Sequence, residues 1–242
     1  VSALALWNGA DGGFGGTGSA VRDWQAAGQS VSCLAPRTQA VTTLAAIEPS
    51  ALPAMAEGRQ RVVNMLFGDA VGFSKLEDRQ VSLFVDHFLG AVSKLVDRSS
   101  TAPLTVNTWG DGLYFCFENS EDAAEMALKI CETVRSIDWE AVGLPKDMNI
   151  RIALHAGPAF DCENPITKSR DFTGAQVSRA ARIEPITPPG QVYASQAFAA
   201  LCECSQLRDY VCEYVGQLSL AKGYGTFPTF HLRRTRNTRP LF

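Results

Sequence analysis

Residues 62–74 read VVNMLFGDAVGFS, and this stretch decides the fold. Its first six residues are almost entirely apolar and have the length of a strand, which predicts a central strand buried on both faces. The run leads into Asp69, and Gly72-Phe73-Ser74 then predicts the start of a helix directly afterwards. The chain therefore places a carboxylate where a buried strand meets a turn.

The residues that follow alternate between helix and strand patterns. Apolar residues at helical spacing predict a long amphipathic helix, and they are Val81, Phe84, Val85, Phe88, Leu89, Val92, Leu95 and Val96. Two strands, 104–109 and 113–117, flank Gly110-Asp111-Gly112, which is a hairpin signal. Further helices are predicted at 120–137, 174–186 and from 195, and further strands at 149–155, 192–193, 210–220 and 229–232. This alternation favours an α+β fold, an α/β sandwich.

The first 59 residues form a segment with a weaker pattern. Strand patterns at 3–7 and 31–34 flank a glycine-rich loop, 12–18, and a short helix that starts near Val21. The loop contains GxGxxG, but a dinucleotide site also needs an acidic residue about 20 positions later. No Asp or Glu lies between Asp23 and Glu48, so we interpret the loop as a plain turn or an interface. Residues 37–60 look like a linker, and we predict two domains, 1–59 and 60–242.

The composition is that of a globular protein. The 242 residues are 46% hydrophobic and 19% charged, with a net charge of −3. These values exclude a disordered or collagen-like chain and give no electrostatic reason to expect nucleic acid as a partner. No apolar run approaches the roughly 18 residues of a membrane helix, so no membrane segment is expected. The seven cysteines lack metal-binding spacing, which favours reduced thiols in the cytoplasm. The sequence begins at Val1 rather than Met, which is compatible with a processed, truncated or excised piece of a longer protein.

Two carboxylates stand in tight, glycine-flanked turns at strand ends. Asp69 follows the buried strand, and Asp111 occupies the tip of the hairpin. If the two strands are neighbours in one sheet, the carboxylates meet at its edge. A pair of hard oxygen ligands is what Mg²⁺ needs when phosphates and water complete its octahedron. The alternative is that each Asp caps a turn, and for Asp111 alone we would prefer that interpretation.

The motifs and their spacing resemble a known family, the class III nucleotidyl cyclases. Five segments carry the resemblance, in order and at family-like intervals: Phe67–Ser74, Thr108–Asp111, Arg151–Pro158, Gly174–Glu184 with Pro189–Val192, and Lys222–Gly225. The resemblance implies a ferredoxin-like βαββαβ core with extra C-terminal strands. The segment 1–59 would add a short βαβ-like unit before that core.

The resemblance also implies a role for each matching residue. Asp69 and Asp111 would bind two divalent ions, Mg²⁺ or Mn²⁺, that activate the ribose 3′-hydroxyl and hold the triphosphate. Arg182 would stabilise the charge that builds on the α-phosphate, and Ser178 lies at the position that orients the ribose. The residues implied in phosphate binding are Val71, Gly72, Phe73, Ser74, Arg151 and Lys222. The implied products are a 3′,5′-cyclic nucleotide and pyrophosphate.

Three positions concern the choice of substrate and the rate of the reaction. Asn107 stands where the family has Lys for adenine or Glu for guanine, and its amide commits to neither base. Asp171 can accept from an exocyclic amine, which favours adenine or cytosine. Ser178 replaces the usual Asn, which is longer. We therefore expect ATP as the substrate and cyclic AMP as the product, with a pyrimidine product, cyclic UMP or cyclic CMP, left open.

Two further expectations concern assembly and the rival function. The family forms its site between two domains, with the metal carboxylates from one and the Arg and Lys from the other. Because this chain carries both sets, the resemblance implies a homodimer with two equivalent sites. The rival hypothesis, motivated by Ser178 and Asn107, is a catalytically weak module that binds nucleotide and dimerises.

Overall fold

The computed structural model describes residues 3–7, 17–26, 29–36, 38, 40–45, 59–100, 102–204 and 209–235. The chain divides into two units, Val1–Gly58 and Arg59–Phe242. In the part of the chain that the structure describes, no helix combines the length and the apolar character needed to cross a membrane.

The N-terminal unit contains a small parallel βαβ arrangement. Its elements are β1 (Ala3–Leu6), α1 (Thr17–Ala26), β2 (Val31–Leu34) and β3 (Val41–Leu44). Strands β1 and β2 pair in parallel, as a helical crossover requires, and β3 adds antiparallel to β2. Strand β3 lies in the stretch predicted to be a linker, because its exposed residues lack the alternation that marks a strand. Residues 12–16 of the glycine-rich loop lie outside the described residues.

The second unit is built on one eight-stranded sheet. Its order is β10-β11-β9-β7-β4-β6-β5, with β8 paired to β7. Among the described strands of this sheet, β7 and β9 are the one parallel pair. The order β7-β4-β6-β5 is that of the predicted ferredoxin-like core. The strands are β4 (Arg59–Val71), β5 (Thr105–Trp109), β6 (Gly112–Phe117), β7 (Asn149–Glu163), β8 (Arg170–Thr173), β9 (Val192–Ser195), β10 (Tyr210–Leu220) and β11 (Gly225–Arg234).

Five α-helices pack against this sheet. They are α2 (Asp78–Leu83), α3 (Gly90–Asp97), α4 (Ser120–Ser136), α5 (Ala175–Ile183) and α6 (Gln196–Cys204). A π-helical turn, Phe84–Leu89, joins α2 to α3 without a break. The long helix predicted from the apolar spacing is therefore present, but it begins at Asp78 with a capping box between Glu77 and Gln80.

The sheet has one face under α3, α4 and α6 and another under α5. Alternate residues of a strand point to opposite faces, and β4 supplies both cores. Leu66 packs with residues of α3, α4 and α6, whereas Met65 packs with Ala180 of α5 and Phe172 of β8. We call the second side the α5 face. Both core residues of β4 are fully buried, so the predicted two-sided burial is confirmed.

Candidate active site

Near the C-terminal end of β4, the odd-numbered residue Asp69 brings a charged side chain to the α5 face. Asp69 shares the side of the strand that carries Met65, because side chains alternate along a strand. Asp69 lies opposite Gly112 of β6 and opposite Arg151 of β7. The carboxylate therefore lies inside β4, whereas the sequence placed it just after the strand. The pairing with both neighbours extends the strand beyond its apolar run.

The predicted metal carboxylates are neighbours. Asp111 occupies the turn between β5 and β6, and its carbonyl accepts a hydrogen bond from the N–H of Ala70 at 3.2 Å. Burial, and then the charge of Asp69, raise the pKa of Asp111. Among the described residues, no group of three or more His, Cys, Asp or Glu side chains is placed to hold a metal ion. Two adjacent carboxylates fit a divalent ion that takes its other ligands from substrate and water.

Arg151 links Asp69 to a third carboxylate, Glu184. Its guanidinium donates to Asp69 Oδ2 at 2.7 Å, and its Nε lies 3.1 Å from Glu184 Oε1. Burial, and then the charge of Asp69, raise the pKa of Glu184 to about 7. One cation thus contacts two of three neighbouring carboxylates.

Glu184 was not singled out in the sequence. It follows the C-terminal end of α5 directly, where the helix dipole disfavours an acid. An acidic residue at that end of a helix signals a nearby cation, and here the cation is Arg151. This signal was available in the sequence but is weak by itself.

The loop after β4 differs from its prediction in one respect. Gly72 has φ +93°, which suits glycine, and a 3₁₀ turn of three residues, Phe73–Lys75, follows it. A short 3₁₀ helix therefore begins where the sequence predicts a helix, directly after Gly72, whereas the long helix begins only at Asp78. The hydrogen bonds of the turn begin with Lys75 N–H to the Gly72 carbonyl. The N–H groups of Phe73 and Ser74 therefore lie outside that ladder and are available to an anion.

Ser178 and Arg182 lie on one side of α5, four residues apart. Lys222 lies in the turn between β10 and β11, and its φ of +59° is unusual for a side chain of this kind. That turn adjoins α5, since the Tyr224 hydroxyl donates to the Ala175 carbonyl at 3.5 Å. Within the described residues, neither Arg182 nor Lys222 has a hydrogen-bonded or acidic partner.

The two predicted base-recognition residues contact each other. Asn107 Nδ2 donates to Asp171 Oδ1 at 3.2 Å. Two hydrogen bonds hold the backbone on either side of Asp171, from Thr105 to the Arg170 carbonyl at 2.9 Å and from Tyr114 to the Phe172 carbonyl at 2.8 Å. Because a carboxylate only accepts, the amide orientation of Asn107 is set. One N–H and the carbonyl of Asn107 remain for another partner.

A buried histidine fastens α5 to the sheet. His155 is 2% exposed on β7, and its Nε2 lies 2.8 Å from Gln176 Oε1 of α5 while its Nδ1 lies 2.7 Å from Ser195 Oγ. Since the Gln176 carbonyl accepts, Nε2 carries the proton and Nδ1 accepts from Ser195. Burial lowers the pKa of His155 and keeps the ring neutral. His155 is therefore a core histidine whose two ring nitrogens both have hydrogen-bond partners.

Gly157 allows the close approach of α5. A Cβ added at Gly157 would lie 2.9 Å from Gln176 Cγ and 3.2 Å from His155 Nε2. Since these atoms belong to the link between α5 and β7, a methyl group there would push the helix away. The position of α5, and with it that of Ser178 and Arg182, thus depends on a glycine at position 157.

A family model for the adenylate and guanylate cyclase catalytic domain matches residues 55–234. The chain belongs to this cyclase family. A curated adenylate cyclase from Streptomyces griseus is 31% identical over 149 residues, which cover 60% of this chain and 33% of the relative. The chain thus spans about a third of the length of that relative.

Solved cyclase structures share the fold. The adenylyl cyclase CyaB from P. aeruginosa is 18% identical and has a TM-score of 0.63, covering 75% of this chain and 98% of the other. The guanylate cyclase domain of RhGC from Catenaria anguillulae, in complex with GTP, is 18% identical with a TM-score of 0.61, covering 74% and 100%. The predicted cyclase fold is confirmed.

Gly157→Ala tests the docking of α5. We expect this substitution to lower the free energy of unfolding by about 1–3 kcal/mol, because the methyl group overpacks the contact with Gln176. Chemical denaturation of both proteins measures the difference. Gly90→Ala is the matched control, because its Cβ would come no closer than 3.7 Å to the Val85 carbonyl. Equal stabilities of Gly157→Ala and the wild type would show that α5 does not depend on this approach.

Glu184→Gln tests the electrostatics of the carboxylate group. Folding raises the pKa of Glu184 from 4.5 to about 7, so the folded state binds more protons than the unfolded state between these values. The stability that Glu184 contributes is present below pH 4.5 and is lost as the pH rises through 7. Without metal, we expect the wild type to lose about 1–3 kcal/mol relative to Glu184→Gln over this interval.

Denaturant titrations at several pH values measure this difference. Glu140→Gln, at an exposed position, is the control and should follow the wild type. Parallel pH curves for the wild type and Glu184→Gln would contradict the prediction.

Proposed function

We propose that the chain is a nucleoside triphosphate cyclase that forms a 3′,5′-cyclic nucleotide and pyrophosphate. Membership of the cyclase family supports this reaction. The observation that carries the proposal is the pairing of Asp69 with Arg151, beside Asp111, on the α5 face. The same face of the fold holds the helix with Ser178 and Arg182.

Asp69 and Asp111 would hold two divalent ions, Mg²⁺ or Mn²⁺. Their carboxylate oxygens are hard ligands, and the described part of the chain places too few protein ligands around them to complete an octahedron. The ions supply activation of the ribose 3′-hydroxyl and neutralisation of the triphosphate. Arg151 already contacts Asp69 and can exchange this contact for a phosphate.

The remaining residues bind phosphate and stabilise charge. The backbone from Val71 through Phe73 and Ser74 offers N–H donors to the terminal phosphates, and Lys222 adds a cation. Arg182 directs its fixed donors at the α-phosphate, where charge grows as the 3′-oxygen bonds to phosphorus and the bond to the bridging oxygen breaks. Pyrophosphate carries away the electron pair of the broken bond. The Ser178 hydroxyl orients the ribose.

We propose a homodimer as the active species. Within the described residues Arg182 and Lys222 have no acidic partner, so both cations are available to a ligand. Two copies related by a two-fold axis would repeat every contact and give two equivalent sites, with the carboxylates of one chain facing Arg182 and Lys222 of the other.

The pair Asn107 and Asp171 favours ATP. After Asn107 donates to Asp171, the pair still offers one amide N–H and one carboxylate oxygen. Adenine presents the complement, an amine donor beside a ring nitrogen acceptor. Cytosine presents the same arrangement, which keeps CTP as the second candidate. UTP belongs in the same test because the amide carbonyl of Asn107 can also accept.

An assay with each nucleoside triphosphate and Mn²⁺ tests the reaction. We expect cyclic AMP as the main product and a loss of about 100-fold or more in kcat for Asp69→Asn and Asp111→Asn, because each removes a charge that the transition state needs. Chromatography of the products measures both effects. Asp86→Asn, an exposed carboxylate on the π-helical turn, is the matched control.

The shortness of Ser178 keeps one rival open, a module that binds nucleotide without turnover. Binding of ATP in calorimetry with no cyclic product from any triphosphate, at concentrations where the chain is dimeric, would replace the cyclase by this module. Full activity of either aspartate variant would overturn the metal assignment.

Asn107→Ala tests base selection. Removing the amide deletes one directed hydrogen bond to the base, so we expect the ratio of kcat/KM for ATP to that for GTP to fall about 5- to 150-fold. Competition kinetics with both substrates measure the ratio. Thr108→Ala, on the opposite face of β5, is the control, and an unchanged ratio in Asn107→Ala would remove Asn107 from base recognition.

A further inference from the structure

Arg179 of α5 lies over an aromatic ring of the last strand. Its guanidinium carbon is 4.1 Å from the ring centroid of Phe227 on β11, a distance at which a cation is attracted to the face of a ring. Within the described residues Arg179 has no acidic partner, and its buried Nε has no hydrogen-bond acceptor. The ring of Phe227 therefore provides the electrostatic contact that no described carboxylate supplies.

The ring of Phe227 is itself held in place. It packs against an apolar cluster that includes Ile183 of α5 and Tyr193 of β9. The backbone at the start of β11 also lies close to it, because a Cβ added at Gly225 would be 3.0 Å from Phe227 Cε2. The ring is therefore fixed by its own strand as well as by α5, and Arg179 contacts a rigid surface.

This contact joins α5 to the turn between β10 and β11, residues 221–224. Phe227 follows the turn on β11, and Tyr224 lies within it, with the two ring centroids 6.4 Å apart. The Tyr224 hydroxyl donates to the Ala175 carbonyl at 3.5 Å, and Ala175 lies about one helical turn before Arg179. The turn between β10 and β11 is thus linked to α5 at two successive levels of the helix.

Both linked elements carry a cation of the proposed site. Arg182 lies three residues after Arg179, so the two occupy neighbouring positions on α5. Lys222 lies in the turn, where its φ of +59° and the φ of +67° at Gly223 are backbone conformations that persist only when the surroundings hold them. Because α5 packs against this turn, the contact between Arg179 and Phe227 supplies part of that support.

We propose that Arg179 is a positioning residue for the cyclase reaction, and that its contact with Phe227 fixes Lys222 relative to Arg182. The inference rests on the proposed function, since both cations are proposed to bind one triphosphate. A cation stabilises the charge of a transition state only from the correct distance, so a turn that moves against α5 would lose part of this stabilisation. A guanidinium suits the contact because its plane can lie flat on a ring.

Hydrogen–deuterium exchange of the full chain tests the contact without substrate. We expect the amides of residues 216–228 to exchange faster in Arg179→Met than in the wild type, because methionine keeps an apolar stem but loses the cation. The amides of α4, on the other face of the sheet, should exchange at unchanged rates. Arg98→Met, which removes an exposed arginine at the end of α3, is the matched control. Equal exchange of residues 216–228 in Arg179→Met and the wild type would overturn the proposal.

A double-mutant cycle with Lys222 tests the consequence for catalysis. With ATP and Mn²⁺, Arg179→Met should lower kcat about 3- to 30-fold, the range that a contact between a cation and a ring supplies. Arg179→Lys should lose less, because an ammonium group is also attracted to the ring. In the Lys222→Ala background the further loss caused by Arg179→Met should be less than about 2-fold, because the residue that it positions is gone.

The outcomes separate this inference from the proposed function. A merely structural role of Arg179, or its direct contact with phosphate, would give the same fold loss in both backgrounds and would overturn positioning while the cyclase proposal stands. An unchanged kcat in Arg179→Met, or an equal loss in Arg98→Met, would overturn it in the same way. If the wild type forms no cyclic product from any triphosphate, both proposals are overturned.

Discussion

The pairing of β4 with β7 is the constraint on which the rest of the site depends. Every one of the 13 residues of β4 has a partner in β7. This register sets Asp69 opposite Arg151, Met65 opposite His155 and Val63 opposite Gly157. A slip of one residue would turn each of these side chains to the other face of the sheet. The apolar residues of β4 that fill two separate cores prevent such a slip.

The same register explains the electrostatics of the site. Asp69, Asp111 and Glu184 bring three carboxylates near the single guanidinium of Arg151, so negative charge exceeds positive charge there. The raised pKa values of Asp111 and Glu184 are the consequence, because burial and mutual repulsion both disfavour ionisation. Such a group attracts cations, and within the described residues Arg182 and Lys222 have no acidic partner. This charge pattern supports the proposed binding of a triphosphate together with divalent ions.

Much of the fold was predictable because its signals are local. The apolar run before Asp69, the helical spacing from Val81 to Val96 and the Gly110-Asp111-Gly112 turn each define an element without reference to the rest of the chain. Two strands, β3 and β8, were not predicted, and each has a physical reason. Strand β3 is exposed and lacks alternation, and β8 is a short strand held by Thr105 and Tyr114, which come from elsewhere in the sequence.

The individual site residues were predictable only in part. The glycine-flanked turns at strand ends predict Asp69 and Asp111 as candidates, whereas Asn107 is a candidate only through the resemblance to the cyclases. The sequence pattern does not predict a site role for Glu184, because its partner, Arg151, lies 33 residues earlier in the chain. Trp109 lies within the motif Thr108–Asp111, but its ring stacks on Tyr114 of the neighbouring strand. Contacts across strands cannot be read from spacing along one strand.

The sequence by itself determined most of the strands and helices, the two-sided burial of β4, and the resemblance to the cyclase family. These follow from periodicity and short motifs, which are properties of neighbouring residues. Only the tertiary structure decided that Arg151 joins Asp69 to Glu184, that Asn107 is oriented by Asp171, and that His155 fastens α5 to the sheet. Each of these depends on distances between residues far apart in the chain, and such distances exist only once the sheet has formed and α5 has packed on its face.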